Sequence, residues 1–259
     1  MSRQIQNQTL GRGEVHFSKF KPGTLEPEGF RYLGDTNDFN LTANTEELPY
    51  YSMDRGTKVK TKSVTLQVDH NGNFTCTDIS LDNLAFFFMG LSLTNTQAGA
   101  TGVTETIEGV QLGLSYQIGQ TAQSLLGVRS VTLNTATVGA TPLVEGTDYQ
   151  LDAPRGILTI LEGATNVSAG ASVELNYDVA AVNVDRTISG NTQIEGAIRF
   201  DAYNAEGDDK DYRMLYVRLS PNGDLALKGD DWMTTPFNVE CLRPPGMEAI
   251  YVDGQPYTA

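Results

Sequence analysis

The sequence contains little histidine, cysteine or tryptophan, and this scarcity limits the chemistry that it can carry. Its 259 residues include two histidines, two cysteines and one tryptophan. Neither His16 nor His70 has a second histidine at the spacing of a metal site or a catalytic triad. The chain also lacks a G-x-S-x-G elbow and a phosphate-binding P-loop. We therefore expect no catalytic residues, no metal and no cofactor, and a protein that is not an enzyme.

Long apolar segments are missing as well. The longest apolar run, around residues 84–91, is well short of the roughly 18 residues that a membrane-spanning helix needs. The first residues are polar and have no apolar signal-peptide core. We expect a protein that stays in the cytoplasm unless a larger assembly carries it out, with no membrane partner. The apolar contexts of Cys76 and Cys241 predict two buried thiols.

Positive charge is in short supply. Eighteen lysines and arginines stand against 32 acidic residues, which gives a formal net charge of −14. Such a surface repels phosphate, so sequence-specific binding to DNA is not expected. The excess of acid is consistent with simple solubility. It is also consistent with a surface along which DNA passes without being held.

Short runs of alternating apolar and polar residues recur along most of the chain. Residues 39–44 and 64–69 both show this period of two, which is typical of half-buried strands. Asn71-Gly72 and Asn222-Gly223 predict tight hairpin turns between strands. The fold class predicted from these patterns is all-β, with one flanking helix.

The one helical pattern covers residues 81–89. Ser80 is a suitable N-cap, apolar residues follow at helical spacing, and Gly90 is a suitable stop. The apolar face is too wide for water, so we expect Leu84, Phe87 and Phe88 to be buried.

Composition divides the chain into a core domain and an insertion. Residues 119–182 are rich in Thr, Val, Gly and Ala, have few charges, and predict a small inserted β-module. The core domain then comprises residues 1–118 and 183–259. Within it, residues 1–27 are polar and predict an extended N-terminal arm. Residues 92–108 predict a loop.

Residues 45–62 have an unusual arrangement of charge. Acidic residues come first, an apolar group follows, and basic residues end the segment. Exposed apolar residues between opposite charges favour an interface arm, although a loop folded over its own domain remains an alternative. The candidate interface residues are Glu46, Glu47, Leu48, Pro49, Tyr50, Tyr51, Met53, Arg55, Lys58, Lys60 and Lys62.

Two other features have ordinary structural interpretations. The acidic run at residues 206–211 lacks the spacing of a calcium loop and predicts a solvated hairpin tip. Trp232, which follows two aspartates, is interpreted as an anchor at the entry of a strand.

Four stretches of the chain resemble the major tail tube protein of long-tailed, non-contractile bacteriophages. They are FRYLGDTNDFNLTANTEELPYYSMDRGTKVKTKSVTLQV, DNLAFFFMG, IEGAIRFDAYNAEGDDKDYRMLYVRLSPNGDLALKGDDW and PFNVECLRPPGMEAIYVDGQP. The resemblance lies in their order and spacing over most of residues 28–90 and 190–257. Residues 119–182 match only loosely, like the extra β-modules of some members.

The resemblance implies a β-sandwich or barrel with one helix, and a structural role in the virion. Six copies would close into a ring through their inner sheets, and the rings would stack into the tube through which the genome leaves the capsid. Residues 45–62 correspond to the inter-ring loop of that family. The implied partners are other copies of the chain, the tape measure protein, the tail terminator and the distal tail proteins. Double-stranded DNA would cross the lumen without specific binding, in a tail assembled in the bacterial cytoplasm.

Two other classes of protein remain as alternatives. Many short strands and the Thr-rich module also suit an extracellular adhesin or a carbohydrate-binding module, although no cluster of aromatics accompanies them. A hydrolase on a β-scaffold would need a pair of carboxylates in a cleft, and the sequence offers no defined pair.

Overall fold

A computed structural model describes residues 8–54, 56–122 and 124–254, and it confirms the all-β fold class. The strands are β1 (Gly13–Lys19), β2 (Arg31–Tyr32), β3 (Thr36–Ser52), β4 (Val59–Cys76), β5 (Leu91–Gln97), β6 (Ala100–Val110), β7 (Ser115–Gln117), β8 (Val131–Val138), β9 (Thr141–Pro142), β10 (Tyr149–Asp152), β11 (Ile157–Ile160), β12 (Ala171–Val179), β13 (Val182–Ile188), β14 (Ile194–Ala202), β15 (Lys210–Pro221), β16 (Thr235–Cys241) and β17 (Ile250–Gly254). The helix is α1 (Leu81–Phe87). Across the described residues, no helix is long and apolar enough to span a membrane.

The strands belong to two units. Leu93–Arg186 forms the second unit, and the chain on either side of it forms the first. The strands that lead into and out of the second unit, β5 and β13, pair with each other. This unit is longer than the module at 119–182 predicted from sequence, because β6 at residues 100–110 pairs along β12. Residues 92–108, expected to be a loop, therefore form most of β5 and β6.

The first unit is built on one large antiparallel sheet. Its strand order is β2-β1-β14-β15-β16-β4-β3, and β17 pairs with β15. The sheet curls, so that Phe39 on the edge strand β3 meets Phe200 on β14 at a ring-centre distance of 5.9 Å. One face of the sheet carries the core, which includes Phe74, Phe237 and Met214. Burial of these large side chains away from water is the main stabilising contribution.

The helix α1 packs on this core. The Ser80 side chain accepts a hydrogen bond from the backbone N–H of Asn83 at 3.2 Å, which confirms the predicted N-cap. Phe86 packs edge-on against Phe17, and Phe87 packs against Phe237. The expected burial is only partly right.

Phe88 and Leu84 differ from that expectation. The helix ends at Phe87, one residue before Phe88, and the Phe88 side chain is 40% exposed. Leu84 is half-buried. The left-handed residue after the helix is Met89, with φ of 51°, rather than Gly90. Gly90 instead allows a close approach, because a Cβ there would lie 1.8 Å from the Ile188 carbonyl oxygen.

The N-terminal arm predicted at 1–27 is wrong for its central part. Residues 13–19 form β1, which pairs with β14 along its whole length. Val15 and Phe17 of this strand are buried in the core. The polar, glycine-containing residues on either side of this segment suggested an arm. Pairing with β14 and burial in the core make the segment a strand instead. Residues 1–7 lie outside the described residues.

Neither predicted Asn-Gly turn forms a hairpin. Asn71 and Gly72 lie within β4, which continues from Val59 to Cys76. Position 72 requires glycine because β3 passes close by. A Cβ at this position would lie 2.6 Å from the Asn40 carbonyl oxygen. Residues 222–234 form a connection between β15 and β16 and contain no strand, so no strand returns directly after Asn222-Gly223.

The second unit has a separate core between small antiparallel sheets. Buried residues include Ile118, Leu158, Ile160 and Val173. Residues 143–148, which connect β9 and β10, form a turn in which Asp148 is fully buried. Its carboxylate accepts hydrogen bonds from the backbone N–H groups of Val144, Thr165 and Asn166, each at 3.0 Å.

Both cysteines are buried free thiols, as the sequence predicts. Burial raises the pKa of Cys76 to about 12 and that of Cys241 to about 11. Because the thiolate is the reactive form, neither group is suited to nucleophilic chemistry.

Candidate assembly interface

The outer halves of β3 and β4 form a ribbon of two strands. The two strands pair from Thr36 and Cys76 out to Ser52 and Val59. The strand β16 pairs with β4 only at residues 70–76, so it covers only the inner part of the hairpin. Residues 44–52 and 59–69 therefore continue past β16, and no third strand of the described chain pairs with them. At about 3.3 Å per residue, this extension is roughly 30 Å long. We call it the ribbon.

The ribbon has one apolar face. Residues that pair directly share a face of a two-stranded sheet. Leu48 pairs with Val64, and Tyr50 pairs with Lys62. Near the tip, Val59 pairs with Ser52 on the same face. The large side chains Leu48, Tyr50, Val59 and Val64 are all exposed, and we call this surface the apolar face of the ribbon.

The opposite face of the ribbon carries the polar contacts between the two strands, together with the exposed side chains of Tyr51 and Val68. Glu47 accepts a hydrogen bond from the Ser63 hydroxyl at 2.8 Å and lies 3.5 Å from the Lys60 ammonium. The bond from Ser63 and the contact with Lys60 lower the pKa of the Glu47 carboxyl below its usual value. These contacts join the two strands on this face. Toward the tip, Ser52 and Lys62 accompany the apolar side chains on the apolar face, and the polar residues Asn44, Glu46, Gln67 and Asp69 lie on the same face nearer the large sheet.

The predicted interface residues belong to this ribbon and its tip, and Arg55 lies outside the described residues. The structure replaces the expected loop by paired strands. All residues from 44 to 51 are exposed, so in this structure the segment is not folded over its own domain. The large hydrophobic residues Leu66 and Val68, also exposed, were not among the candidates. Their alternation with polar residues could have indicated that the exposed surface extends along β4.

A second surface of interest is the face of the large sheet opposite its core, which we call the solvent face. Arginines on this face lie close to carboxylates. Arg218 contacts Glu195 at 3.1 Å and Glu240 at 3.3 Å. Next to them, Asn71, Asn73 and Asn238 come from paired positions of β4 and β16.

The same pairing of charges extends toward the other end of the solvent face. Arg199 contacts Asp201 at 2.9 Å, and Arg213 lies 3.7 Å from Asp253. The solvent face therefore presents neutral amides and neutralised arginines. This face could not be predicted from the sequence, because the register between distant strands decides which charges meet.

The connection between β15 and β16 exposes apolar residues. Trp232 is 90% exposed and Leu227 is 78% exposed. The expected role of Trp232 as an anchor at a strand entry is therefore wrong. Exposure of large apolar side chains to water is unfavourable in free energy, so this connection is a further candidate contact surface.

The described residues contain no cluster of three or more histidines, cysteines or acids that could hold a metal. In the acidic run, Asp209 accepts a hydrogen bond from the Asn204 backbone N–H and Asp211 accepts one from Ala202. These aspartates stabilise the turn between β14 and β15.

Comparison with known proteins gives one family. A comparison with curated proteins finds no match. The family model described as "Protein of unknown function UCP028589" matches residues 8–249. That match covers almost the whole chain, including both units and the ribbon. The chain therefore belongs to this family, protein of unknown function UCP028589.

Proposed function

We propose that this protein is the structural subunit of a bacteriophage tail tube. Six copies form a ring, and rings stack into a conduit for delivery of the genome. The observation that carries the proposal is the ribbon, which extends past its sheet with an apolar face exposed. A surface of that kind is suited to burial against another protein chain.

The sheet itself also favours assembly. Among the described residues, the strand β3 is an edge strand that pairs only with β4. Exposed strand edges readily pair with other chains, and closing several subunits into a ring removes them. In the proposed ring, the curled sheets of neighbouring subunits join edge to edge.

The charge distribution suits a channel for DNA. If the solvent face lines the lumen, DNA meets amides and arginines that are already paired with carboxylates. The overall net charge of −14 adds repulsion between protein and phosphate. DNA would then pass along the wall without being held.

The proposed site of action is the virion tail, assembled in the cytoplasm of a bacterial host. The proposed partners besides further copies are the tape measure protein, the tail terminator and the distal tail proteins. The proposed role is structural and uses no catalytic residue or cofactor.

Electron microscopy of purified protein tests this function. We expect rings or tubes for the natural sequence. Replacement of residues 48–58 by a Gly-Ser linker should leave a folded protein that forms no tubes. A control replaces residues 21–26, an exposed segment of the first unit outside the ribbon, with a Gly-Ser linker of the same length as the segment that it replaces. Monodisperse monomers of the natural sequence under all conditions, or normal tubes without the ribbon, would contradict the proposal.

A further inference from the structure

We infer that a groove at the base of the ribbon is the seat for the ribbon of a second copy of this chain. The inference rests on the proposed function and identifies where the contact between stacked subunits lies. The groove has a volume of about 550 Å³ and is formed within the first unit. It lies on the core side of the large sheet, opposite the solvent face.

The floor of the groove is apolar. Phe39, Leu41, Phe200 and Tyr212 line it, and Phe200 contacts both Phe39 and Tyr212 through edge-on ring packing. Leu41 is partly exposed there. This floor continues the hydrophobic core outward, so an apolar partner placed on it would extend the core.

The rim of the groove is mainly acidic. Asp35, Asp38 and Asp208 line it, together with the cations Arg12 and Lys210. Among the described residues, none of the three aspartates forms an ion pair, and Asp38 has only a long hydrogen bond of 3.4 Å from Asn40. The rim can therefore accept a further cation.

The apolar face of the ribbon has the matching chemistry. It presents Leu48, Tyr50 and Val64 for an apolar floor. Lys62 lies on the same face, directly paired with Tyr50, and forms no ion pair among the described residues. An exposed cation beside apolar side chains complements an acidic rim around an apolar floor.

The contact that results joins two different surfaces of the same chain. Within one copy, the groove at Phe39 and Leu41 and the ribbon face at Leu48 and Tyr50 lie on opposite sides of β3, because these residues have opposite parity along the strand. Each copy would then donate a ribbon and receive another. Such a heterologous contact repeats as an open array when its rotation does not close into a ring, and axial stacking requires an open repeat of this kind.

Charge reversal with rescue tests this pairing. Asp38→Lys and Lys62→Asp should each raise the critical concentration for tube formation by about tenfold or more, since like charges across an interface repel. The double variant should restore assembly. The control pair, Glu28→Lys and Lys21→Asp, reverses exposed charges between β1 and β2 and should leave assembly unchanged.

Disulfide trapping gives a second measurement. In a chain that carries Leu41→Cys and Leu48→Cys, oxidation of assembled protein should link different copies into a covalent ladder. A chain with Leu41→Cys and Val68→Cys, on the opposite face of the ribbon, should not form one. Assembly that tolerates both single charge reversals and gives no ladder would overturn the inference.

The outcomes separate this inference from the proposed function. Tubes that form with the groove contact absent would overturn the inference alone. A natural sequence that forms neither rings nor tubes would overturn both. Residues 1–7 precede Thr9, which lines the groove, and are a rival occupant. If deletion of residues 1–7 reproduces the effect of Asp38→Lys while Lys62→Asp has none, the groove serves the N-terminus and the inference is wrong.

Discussion

Leu48 lies directly opposite Val64 across the ribbon, and both side chains point to the same exposed face. Leu48 is 61% exposed and Val64 is 47% exposed. Directly paired side chains of this kind normally stabilise a sheet by packing against each other and against a third layer. Here the described residues supply no third layer. A two-stranded ribbon is marginal by itself, so its partner is expected to stabilise it.

The first prediction concerns this pair. Leu48→Thr combined with Val64→Thr keeps good strand formers but removes apolar area from the ribbon face. We expect an unchanged melting temperature for the monomer and loss of assembly in sedimentation and microscopy. Val68→Thr makes a similar change on the opposite face and should assemble normally. Equal loss of assembly in all variants would contradict a role for one face.

The second prediction concerns the helix. Phe87→Ala should lower the free energy of unfolding by about 3–5 kcal/mol, because the ring is buried against Phe237. Phe88→Ala should cost much less, since that side chain is 40% exposed. Chemical denaturation of the two variants compares them directly. A larger cost at Phe88 in the isolated chain would contradict the packing of α1.

Much of the fold follows from local sequence patterns. Alternation in β3, β4, β12 and β16 predicts strands, and Ser80 predicts the start of the helix. The predictions from sequence are wrong where the same residues can serve a different structural purpose. Gly72 reads as a turn residue, but in the fold it gives room for the neighbouring strand. Residues 13–19 were predicted to be part of an arm because the sequence around them is polar, although Val15 and Phe17 belong to the core.

The sequence indicates where the exposed segment lies, but it does not predict that this segment is a ribbon of paired strands. Segregated charge and exposed apolar residues indicate residues 45–62, and the ribbon lies there. The groove and the solvent face could not be predicted. Phe39 and Phe200 are distant in sequence, and Arg218 meets Glu195 and Glu240 only through the register of three strands. Sequence patterns do not determine such register between distant strands.

The third prediction concerns acid stability of the second unit. Burial of Asp148 opposes its charge, but hydrogen bonds from the Asn166 side chain and from backbone N–H groups outweigh it and hold the pKa of the carboxyl below its usual range. A lowered pKa in the folded state stabilises the fold above the unfolded value of about 4. That stability is lost as pH falls further.

Asp148→Asn should therefore lower the free energy of unfolding by about 1–3 kcal/mol at neutral pH, since an amide N–H group would face donors. The difference from the natural protein should shrink below about pH 4. Asp152→Asn, at an exposed pair with Arg155, is the control and should have a much smaller effect. A pH-independent difference would rule out the ionised carboxylate as the cause. Thermal unfolding followed across pH provides the measurement.

The fourth prediction concerns the independence of the two units. The core cluster around Phe74 contains no residue of Leu93–Arg186, and the cluster around Leu158 contains only residues of that unit. Because β5 and β13 pair, a short Gly-Ser linker from Ser92 to Thr187 can replace the second unit. We expect a folded first unit with its thiols still protected from alkylation. Rapid alkylation of Cys76 and Cys241 would show that the core needs the second unit.

The last prediction concerns passage of DNA. Arg218 is neutralised by Glu195 and Glu240, so Glu195→Gln combined with Glu240→Gln leaves its charge unpaired without changing side-chain size. In a tube whose lumen is the solvent face, this adds one free cation per subunit. DNA carries a negative charge about every 1.7 Å along its axis, so cations repeated along a channel act together.

We expect assembled variant tubes to retain double-stranded DNA at low salt and release it as salt rises, whereas natural tubes retain none. Glu108→Gln with Glu162→Gln makes the same change of net charge in the second unit and should retain none. Variant tubes that assemble normally and still show no salt-sensitive retention would contradict the assignment of the solvent face to the lumen.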